Sequence, residues 1–235
     1  MNKTNILFLD FDGVLNSHRS LWKKFAEWFG VEWKEDDFDI EKWYDKGHTE
    51  DMNPDLWDRI DEAEVSKKPE IGMPDLNMDK WPPDEYAILA LNKIVEENNA
   101  KVVICSTWRK GRTISQLQKI LDGWGAKCEV IGITPYKNKL SYDATRASEI
   151  LEWLVENNSM VNRICILDDE AAYDINFIFE KWCVQEISGR THGLREDHIP
   201  LAKKCFEIPI DPLYDFEKFY PMPALQKYRH KAQKK

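Results

Sequence analysis

The sequence has no run approaching the roughly 18 consecutive apolar residues that a membrane-spanning helix needs. Its amino end passes from "MNKT" straight into a strand-like stretch, without the apolar region and cleavage site of a secretory leader, so a cytoplasmic location is expected. Cysteine is sparse: Cys105, Cys128, Cys165, Cys183 and Cys205 are far apart and mostly set inside apolar runs. None is paired at zinc-site spacing, which leaves them as small core residues of a reducing compartment. The histidines, His18, His48, His192, His198 and His230, also lack metal-ligand spacing. Basic charge is short, with 33 Lys and Arg against 42 Asp and Glu and a net charge of −9. That deficit argues against a protein that holds duplex nucleic acid through a broad basic face. No internal repeat is found, and the only biased segment is the basic tail "QKYRHKAQKK".

What is present is a chain long enough, at 235 residues, to bury a full core. Five apolar runs read as buried strands: "NILFLD" from Asn5, "KVVICS" from Lys101, "KCEVIGI" from Lys127, "RICILDD" from Arg163 and "KWCVQEI" from Lys181. Between them, helical periodicity marks "PPDEYAILALNKIVEENNA", "TISQLQKILDGWG" and "YDATRASEILEWLVENN". Short apolar strands alternating with such helices predict an α/β fold, a doubly wound parallel sheet covered on both faces. Ligands of such a sheet sit at the carboxyl ends of its strands.

Three of these ends carry polar chemistry. Asp10 and Asp12 flank Phe11 and stop on Gly13, Ser106 closes the second run, and Asp168 and Asp169 close a later one. A period of two lets Asp10 and Asp12 lean to one side of the crevice. Acids at strand ends also serve as helix caps, but three such ends in one sheet are far more specific than any one of them. Carboxylates gathered in one crevice repel each other unless some are protonated or a cation sits among them. An all-oxygen site of this kind suits Mg²⁺ together with a phosphate of the substrate, which points to phosphoryl transfer.

Residues 17–81 interrupt the alternation and hold six of the ten tryptophans, Trp22, Trp28, Trp33, Trp43, Trp57 and Trp81, beside a dense acidic run. They read as an insertion between the first and second core strands, helical around "SLWKKFAEWFG" and "NPDLWDRIDEAE". Its tryptophans either stack on a base or form the core of a small helical cap, and the second reading is favoured. The expected division is a core of residues 1–16 and 82–212, a Trp-rich acidic cap at 17–81 and a C-terminal segment at 213–235.

"FLDFDGVL" resembles the first motif of the haloacid dehalogenase (HAD) superfamily, "VVICS" its second, and "ILDDEAAYD" its fourth, with Asp174 as the last acid. "LNKIVEENNAKVVICSTWRKG", "TRASEILEWL" and "THGLREDHI" resemble the HAD domains of RNA-repair-type proteins and their phage relatives. The resemblance implies a HAD-like Rossmannoid core and a Mg²⁺-dependent phosphomonoester hydrolase working through an aspartyl phosphate. It makes Asp10 the nucleophile, Asp12 the acid and base, and Ser106 a ligand of the phosphoryl oxygens. Asp10, Asp12 (through its carbonyl), Asp168 and Asp169 would hold the metal. For the third-motif cation the chain offers Lys137, Lys139 and Arg146; Arg146 is favoured because it fits the R-x-x-E-I pattern of that branch. Thr107, Arg109 and Lys139 are further expected phosphate contacts. A nucleotide or the terminal phosphate of a nucleic acid is the expected substrate. The competing readings are an interaction protein on a HAD scaffold, a metal-dependent nuclease, and a phosphoacceptor receiver, the last disfavoured by motif order.

Overall fold

The computed structural model describes residues 3–34, 37, 54–66, 82–136, 145–171, 174–189 and 192–210. Its centre is a sheet of β1 (Thr4–Leu9), β2 (Ala100–Ile104), β3 (Val130–Ile133) and β4 (Val161–Leu167), in the order β3-β2-β1-β4. All pairings are parallel. The seven α-helices among the described residues are α1 (His18–Phe29), α2 (Pro54–Ser66), α3 (Glu85–Asn98), α4 (Ile114–Gly123), α5 (Arg146–Glu156), α6 (Asn176–Phe179) and α7 (His198–Glu207).

Alternation along β1 sends its side chains to two separate cores. Leu7 and Leu9 join Val102 and Ile104 under α3, α4 and α7, where Leu91, Leu117 and Phe206 are buried. Ile6 and Phe8 join Val103 and Ile164 under α5, where Ile150 and Leu154 are buried. This is the doubly wound arrangement expected from the apolar runs.

The fifth expected strand is a correction. Glu180–Trp182 forms a 3-10 turn, and the segment's pairing with the sheet is limited to an isolated parallel bridge between Cys183 and Ile166, made by the bond from Val184 N–H to the Ile166 carbonyl at 3.1 Å. The apolar residues of "KWCV" are buried as expected, but they cover the edge of β4 instead of extending the sheet.

Within the insertion, α1 packs on α2 over a third cluster of Phe25, Ala26, Phe29, Leu56 and Ile60, with Trp22, Trp28 and Trp33 against it. These three tryptophans therefore serve as packing for a small helical unit that has little else to bury. Trp43, Trp81, most of the acidic run and the tail at 211–235 lie outside the described residues. The root of the insertion is tied to the core by Asp84, which is fully enclosed. It caps α3 through Tyr86 N–H at 3.0 Å and meets Arg19 of α1 at 3.2 Å and Arg195, just before α7, at 2.8 Å.

Candidate active site

The register of the sheet assembles the site. Leu9 is level with Ile104 on one side and Leu167 on the other, so the next residues of the three strands, Asp10, Cys105 and Asp168, emerge abreast. Asp10 N–H still donates to the Leu167 carbonyl at 3.0 Å, and Cys105 N–H to that of Leu9 at 3.0 Å. Beyond this level the chain turns: Phe11 C=O accepts from Leu15 N–H at 2.8 Å, and Gly13 takes a φ of +75°. A side chain at Gly13 is excluded twice, by that φ and because a Cβ would stand 2.0 Å from Asp169 Oδ2. Gly189 closes on the same spot, its own Cβ position being 2.5 Å from Asp169 Oδ2.

Asp10, Asp168 and Asp169 each present a carboxylate oxygen within 4.8 Å of the others. Arg146, first residue of α5, reaches them from the side: Nη1 donates to Asp10 Oδ2 and, at 2.5 Å, to Asp168 Oδ2. Its placement follows from the local sequence, because Thr145 and Ser148 form a reciprocal capping box. Asp174 Oδ2 accepts from Ala147 N–H at 3.3 Å in the same first turn. Burial disfavours the Arg146 charge, yet Asp10 and Asp168 more than offset it and raise its pKa well above the ordinary value.

One guanidinium does not neutralise three acids. Burial, then the charge of Asp10, push Asp168 up from 3.8 to about 7 against the opposing pull of Arg146. Burial, Asp10 and Glu170 push Asp169 up to about 7 as well. Such uncompensated acidity in an all-oxygen set is what a hard divalent cation relieves, so the residues fit Mg²⁺.

A stability prediction follows. A carboxyl with a folded-state pKa above its unfolded value binds its proton more tightly when folded, so stability falls as pH rises from about 4 to about 7 and then levels. In EDTA, Asp168→Asn should gain on the native protein by roughly 2–4 kcal/mol between pH 4 and pH 8, and millimolar Mg²⁺ should narrow that gap. Urea melts at both pH values check this; a gap that does not grow with pH refutes it.

The remaining expected residues are distributed as follows. Asp12 accepts from Asn16 Nδ2 at 3.0 Å and from Trp108 Nε1, which is 2.9 Å from each carboxylate oxygen. Ser106 is buried, and its Oγ accepts from Trp108 N–H at 3.3 Å at the start of a 3-10 turn, Thr107–Arg109; Thr107 is exposed beside it. Lys137 and Lys139 lie outside the described residues.

Arg109 departs from the phosphate contact expected of it. Its Nε donates to the Thr134 carbonyl at 3.1 Å, Nη1 to the carbonyls of Cys105 and Ser106, and Nη2 to buried Glu149. A buried guanidinium engaged on every side cannot turn to a phosphate without stranding Glu149 and the carbonyls, so Arg109 joins β2 to β3 and α5 instead.

Trp108, Asn16, Glu149 and Gly189 were not singled out as site residues from the sequence. Two of them had a signal: Trp108 lies two residues beyond Ser106 in "CSTWR", and Glu149 is the acid of the R-x-x-E-I pattern that begins at Arg146.

A parallel sheet with an acidic cluster across its carboxyl edge, reached from the side by an arginine, is the arrangement expected of a HAD-type hydrolase. The chain belongs to this superfamily: residues 6–199 match the family model described as the HAD domain in Swiss Army Knife RNA repair proteins. No curated protein and no solved structure matches it. No helix among the described residues is long and apolar enough to cross a membrane.

Proposed function

We propose that the protein is a Mg²⁺-dependent phosphomonoester hydrolase that works through an aspartyl phosphate on Asp10. The observation that carries the reading is the Asp10 carboxylate, held by Arg146 on one oxygen and gathered with Asp168 and Asp169 within 4.8 Å. Asp10, through one carboxylate oxygen, and Asp12, through its backbone carbonyl, would hold Mg²⁺ together with Asp168 and Asp169. When bound, the ion offsets charge on the transferring phosphoryl group.

In the first step a carboxylate oxygen of Asp10 attacks phosphorus, the ester P–O bond breaks, and Asp12 gives a proton to the leaving oxygen. In the second, water attacks the same phosphorus as Asp12 takes its proton; inorganic phosphate leaves and the Asp10 carboxylate is restored. Ser106 accepts from Trp108 N–H and keeps its own hydroxyl proton to donate to a phosphoryl oxygen. Arg146 balances charge on Asp10 and the phosphoryl group.

The substrate we assign is a nucleotide or the terminal phosphate of a nucleic acid, met in the cytoplasm. The description of the matching family, RNA repair, supports it. The insertion at 17–81 would cover the site, and its acidic composition favours a small or single-stranded end over a long duplex.

The test is phosphate release, with Mg²⁺ or EDTA, from nucleoside monophosphates, sugar phosphates and oligonucleotides bearing a 5′ or 3′ phosphate. Mg²⁺-dependent release, highest on the nucleotides or oligonucleotide ends, is the expected result. Cleavage inside an unphosphorylated oligonucleotide without phosphate release would establish a nuclease instead. A folded protein inactive on every member would leave the scaffold to an interaction role.

A further inference from the structure

Trp108 is buried at 3% exposure in an aromatic cluster, its ring centroid 5.3 Å from Phe11 and 5.4 Å from Trp124. The single polar atom of its side chain is the indole N–H, and a buried N–H must find an acceptor. The acceptor is the carboxylate of Asp12, both oxygens of which lie 2.9 Å from Nε1. A second donor meets the same carboxylate: Asn16 Nδ2, 3.0 Å from Asp12 Oδ1. Asn16 is itself fully buried and fixed, because its Oδ1 accepts from Gly13 N–H at 3.0 Å.

These contacts restrain the plane of the carboxylate. Rotation about its terminal torsion, ordinarily broad, would pull an oxygen away from the indole and from Asn16. The backbone of Trp108 is held in turn: its main-chain N–H donates to Ser106 Oγ at 3.3 Å, and Arg112 Nη1 donates to its main-chain carbonyl at 2.9 Å. Ser106 and Asp12, which follow different strands, are thus linked through one residue.

We propose that Trp108 is the positioning residue of Asp12, aiming its carboxylate at the leaving oxygen while Asn16 fixes the turn beneath. The proposal rests on the hydrolase reading and extends it to a residue that touches neither substrate nor metal. Its signature is selective. A leaving group that departs as a stable anion needs no proton, whereas an alkoxide does, so misaiming Asp12 should harm only the second.

The test compares Trp108→Phe with the native protein in the first turnover of p-nitrophenyl phosphate and of an alkyl phosphate, each with Mg²⁺. Phenylalanine keeps the apolar packing and removes the N–H. The first-turnover rate on the alkyl ester should fall about 10²-fold, within the range general acid catalysis supplies, with KM unchanged. The burst of nitrophenolate should stay within about tenfold of native, because that step needs no proton from Asp12.

Equal losses on both esters, or none on either, overturn the role while leaving the hydrolase reading intact. A native protein inactive on both esters and on the nucleotide and oligonucleotide phosphates overturns the two together. The contact has its own readout: the indole ¹H–¹⁵N resonance that disappears in Trp108→Phe should move in Asp12→Ala. A resonance that stays in place overturns the proposal whatever the activity.

Discussion

Asp10→Asn should lower phosphate release by at least about 10⁴-fold while leaving the fold intact and its melting temperature no lower, as expected for loss of a nucleophile. The amide oxygen is too weak a nucleophile to replace the carboxylate, but it can still accept from Phe11 N–H, which lies 2.8 Å from Asp10 Oδ1. Removing one negative charge also relieves Asp168 and Asp169, both of which Asp10 pushes upward. Arg146 keeps Asp168 as a partner at 2.5 Å. Stability in EDTA at pH 8 should therefore hold or rise as activity disappears. Phosphate release measured beside a thermal melt checks both halves, and activity within tenfold of native would remove Asp10 from the nucleophile's place.

Arg146→Ala should have the opposite profile, losing stability and activity together. Among the described residues, the guanidinium is the cation that meets Asp10 and Asp168. Its removal strands buried carboxylates, and breaking a buried pair from one side costs about 3–5 kcal/mol. In catalysis a donor facing the transferring group is lost, worth about 10²–10³-fold in kcat. Arg146→Lys should recover part of the stability but little of the rate, because an ammonium lacks the planar fork of a guanidinium. Urea unfolding at neutral pH in EDTA gives the first number, and single-turnover phosphate release in Mg²⁺ the second. An alanine variant as stable as the native protein would mean that the acids shed their charge by taking up protons, which the pH dependence of unfolding would reveal.

The contrast between Arg146 and Arg109 shows where sequence patterns carry and where they stop. Both are arginines close to motif residues, and both were expected at a phosphate. Arg146 opens a capped helix whose first turn faces the carboxyl ends of β1 and β4, so its chain position determines its reach. Arg109 lies three residues past Ser106, but the 3-10 turn rotates it inward to Glu149, forty positions away. No local pattern announces that pair, since it forms only when α5 packs against the sheet. "KWCVQEI" gives a second contrast: its apolar residues are buried as read, but whether an apolar segment pairs as a strand or only covers an edge depends on its neighbours.

The amino-acid sequence alone determined the α/β alternation, the parallel sheet and the acids at the strand ends. These follow from local rules, namely side-chain period, helix capping and the apolar runs of strands buried on both faces. Tertiary structure decided what those acids meet. It brought Arg146 onto Asp10, set Trp108 and Asn16 on Asp12, turned Arg109 to Glu149, and pressed Asp169 against Gly13 and Gly189. The physical reason is that hydrogen bonds and charge pairs act over a few ångströms of space, and only the packing of strands and helices makes residues distant in the chain neighbours in space.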